Sequence, residues 1–148
     1  MSEPLQISFD VDCSPEHAFN VWTAGIATWW PPDHTVTGQA EMVVLESGVG
    51  GRIFERSSDG VEHDWGTVTA WEPPTRLAYQ WHIGRDSADA TLVEIRFIPR
   101  GTGSTRIEIE HWGWERLGAA ADERRAQNQV GWESLLPHFR GAVANGGS

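Results

Sequence analysis

The residues of this chain that could do chemistry are few and scattered. Six histidines and one cysteine stand among nine tryptophans in 148 residues, and all eleven basic side chains are arginines. Chemistry that needs an amine, such as a Schiff base or a phosphate-loop lysine, is therefore excluded. Cys13, the lone cysteine, can form no intrachain disulfide and could give a metal only one ligand. His63 and Asp64 are neighbours, so on a regular strand they point to opposite faces, with Trp65 on the side of His63. His34 lies in a proline-bounded loop, and His82 shares the polar side of its strand with Gln80. No three-ligand spacing stands out, so neither a metal nor a cofactor is expected. Gly48, Gly50 and Gly51 lack the lysine and following helix of a phosphate loop, and read instead as a sharp reversal or a close backbone approach.

His111 is the histidine best placed for chemistry. It continues the alternation of Ile107 and Ile109, which sets it among aliphatic side chains on an inward face. Three roles are open to an imidazole there. It can be a structural residue bonded to the terminal helix or its incoming loop, a polar contact for a ligand, or a general acid/base with an ordinary pKa of about 6.5. No partner acid or nucleophile that would orient it is identifiable, so His111 is a catalytic candidate without a mechanism.

The elements that position these residues follow from periodicity. Leu5, Ile7, Phe9 and Val11 alternate with polar residues as a half-buried strand. Ser14 then offers a cap and Pro15 a first helical position, predicting a helix over 15–24 with Ala18, Phe19 and Trp22 on one face and His17 toward solvent. Gly25 allows a break before a second short helix over 26–30, which Pro31 and Pro32 stop. Six strands are expected next, over 41–46, 51–57, 61–71, 76–83, 91–98 and 106–112. Asp59-Gly60 marks a tight hairpin, and Pro73-Pro74 a rigid corner.

A helix over 119–139 closes the chain, with Trp132, Leu135, Leu136 and Phe139 as its apolar stripe and Pro137 in its last turn. Asn128 and Arg125 project along that stripe. Asn128 is read either as bonded to a strand carbonyl or a trapped water, or as facing a cavity, and Arg125 can instead reach solvent. Gly131, beside the stripe, is expected to permit close helix-to-sheet approach. Residues 1–140 read as one domain and 141–148 as a frayed tail. Trp65, Trp71 and Trp112 read as outward-facing, an alternative route to a homodimer or protein-partner patch.

The order of elements and a run of local motifs resemble the START-like (SRPBCC, helix-grip) superfamily, and within it the group related to the C-terminal domain of the activator of the heat-shock-protein ATPase. The motifs are the segment Ser14 to Thr23, the pair Trp29-Trp30, Gly50-Gly51-Arg52, Gly66-Thr67-Val68, the corner Glu72 to Leu77, Tyr79-Gln80-Trp81, and Gly131 to Leu136. The resemblance implies an α+β helix-grip fold, with a curved seven-stranded antiparallel sheet, two short helices, and a long C-terminal helix over a cavity. Members bind lipids, hormones or polyketides in that cavity. Some catalyse cyclisation or dehydration there, and others bind proteins.

With the helix as cavity roof, the expected ligand-binding set is Trp29, Trp30, Tyr79, Trp81, Ile109, His111, Arg125, Asn128 and Trp132. The expected function is noncatalytic binding of a small hydrophobic or aromatic molecule with one polar end. The alternatives are a co-chaperone-like protein-interaction module, and a cyclase, dehydratase or hydrolase acting in the same cavity. The net charge of -10 repels nucleic acid and anionic membrane. The absence of a basic leader or a long apolar run points to a cytoplasmic protein.

Overall fold

The computed structural model describes residues 3–38, 40–83 and 86–145. Its seven strands are β1 (Leu5–Val11), β2 (Ala40–Leu45), β3 (Arg52–Ser57), β4 (Glu62–Glu72), β5 (Arg76–Trp81), β6 (Thr91–Pro99) and β7 (Thr105–Trp112). They form one antiparallel sheet in the order β1-β7-β6-β5-β4-β3-β2. Because β2 to β7 are joined by hairpins, only β1 crosses the sheet to pair with β7, with Leu5 opposite His111 and Ile7 opposite Ile109. Helix α1 (Pro15–Trp22) follows β1, and helix α2 (Ala121–Asn145) ends the chain. Both lay apolar faces on the sheet, so Trp22, Phe97, Ile107 and Phe139 meet in one buried core.

Local chemistry explains the start of α1. The Ser14 hydroxyl accepts from the His17 backbone amide at 3.1 Å, and Pro15 takes the first turn. His17 is half-buried rather than solvent-facing, with Nε2 3.3 Å from the Val143 carbonyl of α2. The second short helix is only a 3-10 turn, Ile26–Thr28, and a further 3-10 turn, Pro32–His34, replaces the expected loop. Pro32 opens that turn rather than ending the previous one, since a proline's missing N–H costs nothing at a first position.

At its other end α2 outruns its predicted boundary. It continues past Pro137 to Asn145, and Val143 is buried. Residues 141–145 are therefore helix rather than frayed tail, and residues 146–148 lie outside the described residues. Burial of Phe139 and Val143 on the stripe outweighs the bond lost at an exposed Pro137.

Two β-bulges reverse the expected orientation of two tryptophans. The β3–β4 register slips where Ile53 faces Gly66 and Phe54 faces Asp64, leaving Trp65 as the extra residue. Trp65 is fully buried, and its indole donates to Glu55 Oε1 at 2.9 Å. A second slip between Val68 and Ala70 brings Trp71 opposite Leu77, and its ring packs edge-on to Phe19 at 5.1 Å. Trp112 is half-buried. The large hydrophobics exposed among the described residues are valines and one methionine, with no tryptophan.

Candidate ligand pocket

The pocket lies between α2, the end of β5 and the turn after Trp30. It encloses about 520 Å³. Trp30, Tyr79, Trp81 and Trp132 give it aromatic walls, while His34, Arg124 and Asn128 bring polar groups. Two other cavities match it in size. One lies between α1 and the Pro73-Pro74 corner, and the other is a charged patch holding Glu94, Arg96, Arg106 and Glu108. Only the first has the long helix as a roof.

Packing fixes the walls. Trp30 stands 5.1 Å from the Trp65 ring and 5.9 Å from Trp81, and its indole donates to the His34 carbonyl at 3.0 Å. Tyr79 is buried beside Trp81, their ring centroids 5.7 Å apart. Burial pushes the Tyr79 phenol well above its usual range, against a smaller opposing effect of its hydrogen bond with Trp22. Trp132 covers the pocket from α2 and stacks on Trp22 at 6.1 Å.

Of the expected site residues, Trp30, Tyr79, Trp81, Asn128 and Trp132 line this pocket, whereas Trp29, Ile109, His111 and Arg125 do not. Trp29 is a core residue, its indole donating to the Val21 carbonyl at 2.8 Å. Ile109 is buried in the core. Arg125 turns away from the pocket, donating from Nε to the Glu3 carbonyl at 2.6 Å and so tying α2 to the start of β1. Arg124, one residue earlier, lines the pocket instead. A helical turn of 3.6 residues separates their directions by about 100°, more than a stripe drawn from sequence resolves. Asn128 lines the pocket while its Nδ2 donates to the Arg124 carbonyl at 2.8 Å within the helix, so its amide nitrogen is already partnered.

His111 sits behind the walls, fully buried. Trp132 Nε1 donates to its Nδ1 at 3.0 Å, and its Nε2 lies 2.6 Å from Thr91 Oγ1. An indole nitrogen only donates, so Nδ1 carries no proton and the ring is the neutral Nε2–H tautomer, donating to Thr91. Burial lowers its pKa to about 3. With both nitrogens engaged and the ring outside the pocket, His111 is placed as a structural joint, with no free atom for a ligand or a proton transfer.

Gly131 lines the pocket, and a Cβ built on it would meet nothing within 4 Å. It leaves open space over the pocket rather than permitting a close helix-to-sheet contact. The sequence reading missed the Asp33-His34 turn, Val36 and Arg124, all of which line the pocket. The available signal was the position of that proline-bounded turn directly after Trp29-Trp30. The rim is held by Glu55, a fully buried carboxylate that accepts from the Val36 amide, from Trp65 Nε1 at 2.9 Å, and from the Thr37 amide and hydroxyl at 3.2 and 2.9 Å. Burial pushes the Glu55 carboxyl upward, yet these hydrogen bonds outweigh it and hold the group below its usual range.

A curved antiparallel sheet gripping a long C-terminal helix defines a START-like (SRPBCC) protein. The profile of the family described as activator of Hsp90 ATPase homolog 1-like protein matches residues 12–144, and the chain belongs to that family. Among solved structures, it is 36% identical to an anthrahydroquino-gamma-pyrone synthase, Txn09, over 82% of this chain and 84% of that one, with a TM-score of 0.61. It is 22% identical to the self-sacrificing resistance protein CalC from Micromonospora echinospora, over 98% and 96% of the two chains, with a TM-score of 0.71. An AHSA1-like protein from Aeromonas hydrophila is 24% identical over 97% and 94%, with a TM-score of 0.64. No curated protein matches the sequence. No helix among the described residues is long and apolar enough to cross a membrane.

Proposed function

We propose that the chain binds a flat, largely apolar small molecule with one polar end in the pocket under α2. The observation that carries this reading is a volume of about 520 Å³ walled by Trp30, Tyr79, Trp81 and Trp132, with polar groups gathered on the side of Asp33, His34 and Arg124. Ligand sites usually span roughly 300–1,000 Å³ and combine aromatic walls with placed polar groups. Burying about 200 Å² of apolar ligand surface would contribute near 5 kcal/mol before association costs are subtracted. The synthase relative, named for a fused aromatic product, supports an aromatic ligand.

The test is calorimetric titration of aromatic acids and phenolic polycycles into wild type, Trp30→Ala and Trp81→Ala, each checked for its fold by circular dichroism. Binding should weaken by at least about tenfold in both variants, as expected for loss of an aromatic wall. Folded variants that bind every ligand as tightly as wild type would overturn the pocket as the site.

A second reading, conversion of the bound aromatic by cyclisation or dehydration, is favoured by the same 36% identical synthase. A new product on incubation with a polyhydroxylated aromatic, detected by chromatography, would support it over binding alone. The third reading, a docking face of exposed tryptophans as in a co-chaperone module or homodimer, has less support, because no tryptophan is among the exposed large hydrophobics of the described residues.

A further inference from the structure

Four aromatic walls explain affinity for a flat molecule but not which polar end it carries. The rim of the pocket holds a pair suited to that choice. His34 ends the turn Pro32–His34, where the Trp30 indole fixes its carbonyl. Its Nδ1 lies 2.9 Å from Asp33 Oδ1, and its Nε2 lies 3.3 Å from the Gly131 carbonyl of α2. The His34 side chain is 18% exposed and that of Asp33 79%, so the histidine is the more deeply set of the two residues, both of which line the pocket.

Both partners of this imidazole are acceptors without hydrogens. A neutral ring owns one N–H and can satisfy one of them, whereas the imidazolium donates to both. Donating to both partners at once needs the charged ring. The bond to Gly131 is the weaker of the two, being longer and to an uncharged carbonyl. Gly131 and His34 both line the pocket, and no side chain at Gly131 shields the approach. A negatively charged oxygen arriving from the pocket would give Nε2–H a charge-assisted bond, roughly twice as strong as one to a neutral acceptor.

We propose that His34, oriented by Asp33, is the polar anchor of the pocket, its Nε2–H passing from the Gly131 carbonyl to an acidic oxygen, a carboxylate or an ionised phenol, of the bound aromatic. This rests on the pocket being the binding site. The charged and titratable groups around the pair are of both signs. Asp33 lies on the same turn, and the hydrogen bond from His34 is the main reason its carboxyl is held below the usual range. His138 on α2 acts on Asp33 in the same direction, more weakly. Arg124, also on α2, lines the pocket and has a partner of its own. Glu55 on β3 is occupied by Val36, Thr37 and Trp65.

The experiment compares anthraquinone-2-carboxylate with its uncharged primary amide by calorimetry, between about pH 5.5 and 8.5, the range in which a histidine changes charge. Wild type should prefer the carboxylate by about tenfold at the acid end, with the preference fading as pH rises. His34→Gln should lose the pH-dependent part of that preference while keeping its affinity for the amide. Asp33→Asn, a change at an exposed position, should reduce the preference because the His34 ring loses the carboxylate that orients it. Arg124→Gln should weaken carboxylate binding equally at every pH. A folded His34→Gln that retains the full preference and its pH profile would overturn the anchor while leaving the pocket reading intact. Failure of both probes to bind wild type would overturn the pocket reading, and the anchor with it.

Discussion

Trp132 Nε1 donates to His111 Nδ1 at 3.0 Å, and through this bond a histidine outside the pocket sets two of its walls. The chain continues from His111 Nε2 to Thr91 Oγ1 at 2.6 Å, and from Thr91 Oγ1 to the Trp81 carbonyl at 3.3 Å. Strand β7 thus holds a helical tryptophan by its indole and a strand tryptophan by its backbone. His111 is a positioning residue. Its inward parity, which suggests catalysis in a list of residues, serves packing in the fold.

This joint makes stability depend on pH in a defined window. The folded pKa of His111 is depressed to about 3, so between that value and about 6.5 the unfolded chain binds the extra proton and stability falls as pH falls. The slope from this one group reaches at most about 1.4 kcal/mol per pH unit. Glu55, whose carboxyl is also lowered from 4.5, loses its contribution only below that ordinary value. Urea unfolding between pH 6.5 and 4.5 therefore weights the histidine over Glu55 and the other lowered carboxylates, Glu62, Asp33 and Asp59, and comparison with His111→Gln isolates its share. His111→Gln should be less stable at neutral pH but show a shallower slope across this window. An unchanged slope would show that His111 is not the buried neutral base.

The sequence carried the sheet, the two helices and the inward face of β7, because those rest on strict periods of 2 and 3.6. The same periods set Tyr79, Trp81 and Trp132 toward the pocket, whereas Trp30 came from the Trp29-Trp30 motif of the family resemblance. It lost Trp65 and Trp71, because an extra residue in β4 inverts every face beyond it and a bulge leaves no mark on alternation. It lost the choice between Arg124 and Arg125, since neighbouring helical residues differ in direction by about 100° and both are arginine. The Asp33-His34 rim was unreadable for another reason. Its geometry is set by the distant carboxylate of Glu55, nineteen residues from Val36.

Glu55→Gln tests that distant hold. The carboxylate accepts four hydrogen bonds from donors only, and an amide would point its own N–H₂ at some of them. A buried group left facing a like partner costs about 1–3 kcal/mol. We expect destabilisation of that order, together with faster hydrogen exchange at the Val36 and Thr37 amides. Destabilisation without faster exchange at those amides would mean that Glu55 supports the core alone and does not hold the rim.

Arg125→Ala separates the two arginines from the opposite side. Arg125 gives two hydrogen bonds to backbone carbonyls, at Glu3 and Pro4, and lies outside the pocket. Its removal should cost about 1 kcal/mol or less, as for bonds at a partly exposed site, and should leave aromatic binding unchanged. A loss of affinity matching that of Arg124→Gln, measured on the same probe, would show that the helix turns Arg125 into the pocket in solution.

Gly66 and Gly131 make the sharpest contrast, because a methyl added to each meets opposite surroundings. At Gly66 a Cβ would stand 2.0 Å from the Gln80 carbonyl oxygen, and that atom belongs to the backbone of the neighbouring strand β5. Neither strand can yield without breaking the pairing that carries Trp81. At Gly131 a Cβ would meet nothing within 4 Å. Alanine also favours an interior helical position over glycine by about 1 kcal/mol. Gly66→Ala should therefore lose about 2 kcal/mol or more, in the range of strained core substitutions. Gly131→Ala should melt at the same temperature as wild type or higher. Its cost should appear in binding instead, since the new methyl takes space beside His34 and Trp132 in the pocket. Thermal unfolding and titration of anthraquinone-2-carboxylate on both variants check the pair together. A Gly131→Ala protein that melts well below wild type would restore the close helix-to-sheet contact expected from sequence and remove the open space on which the pocket depends.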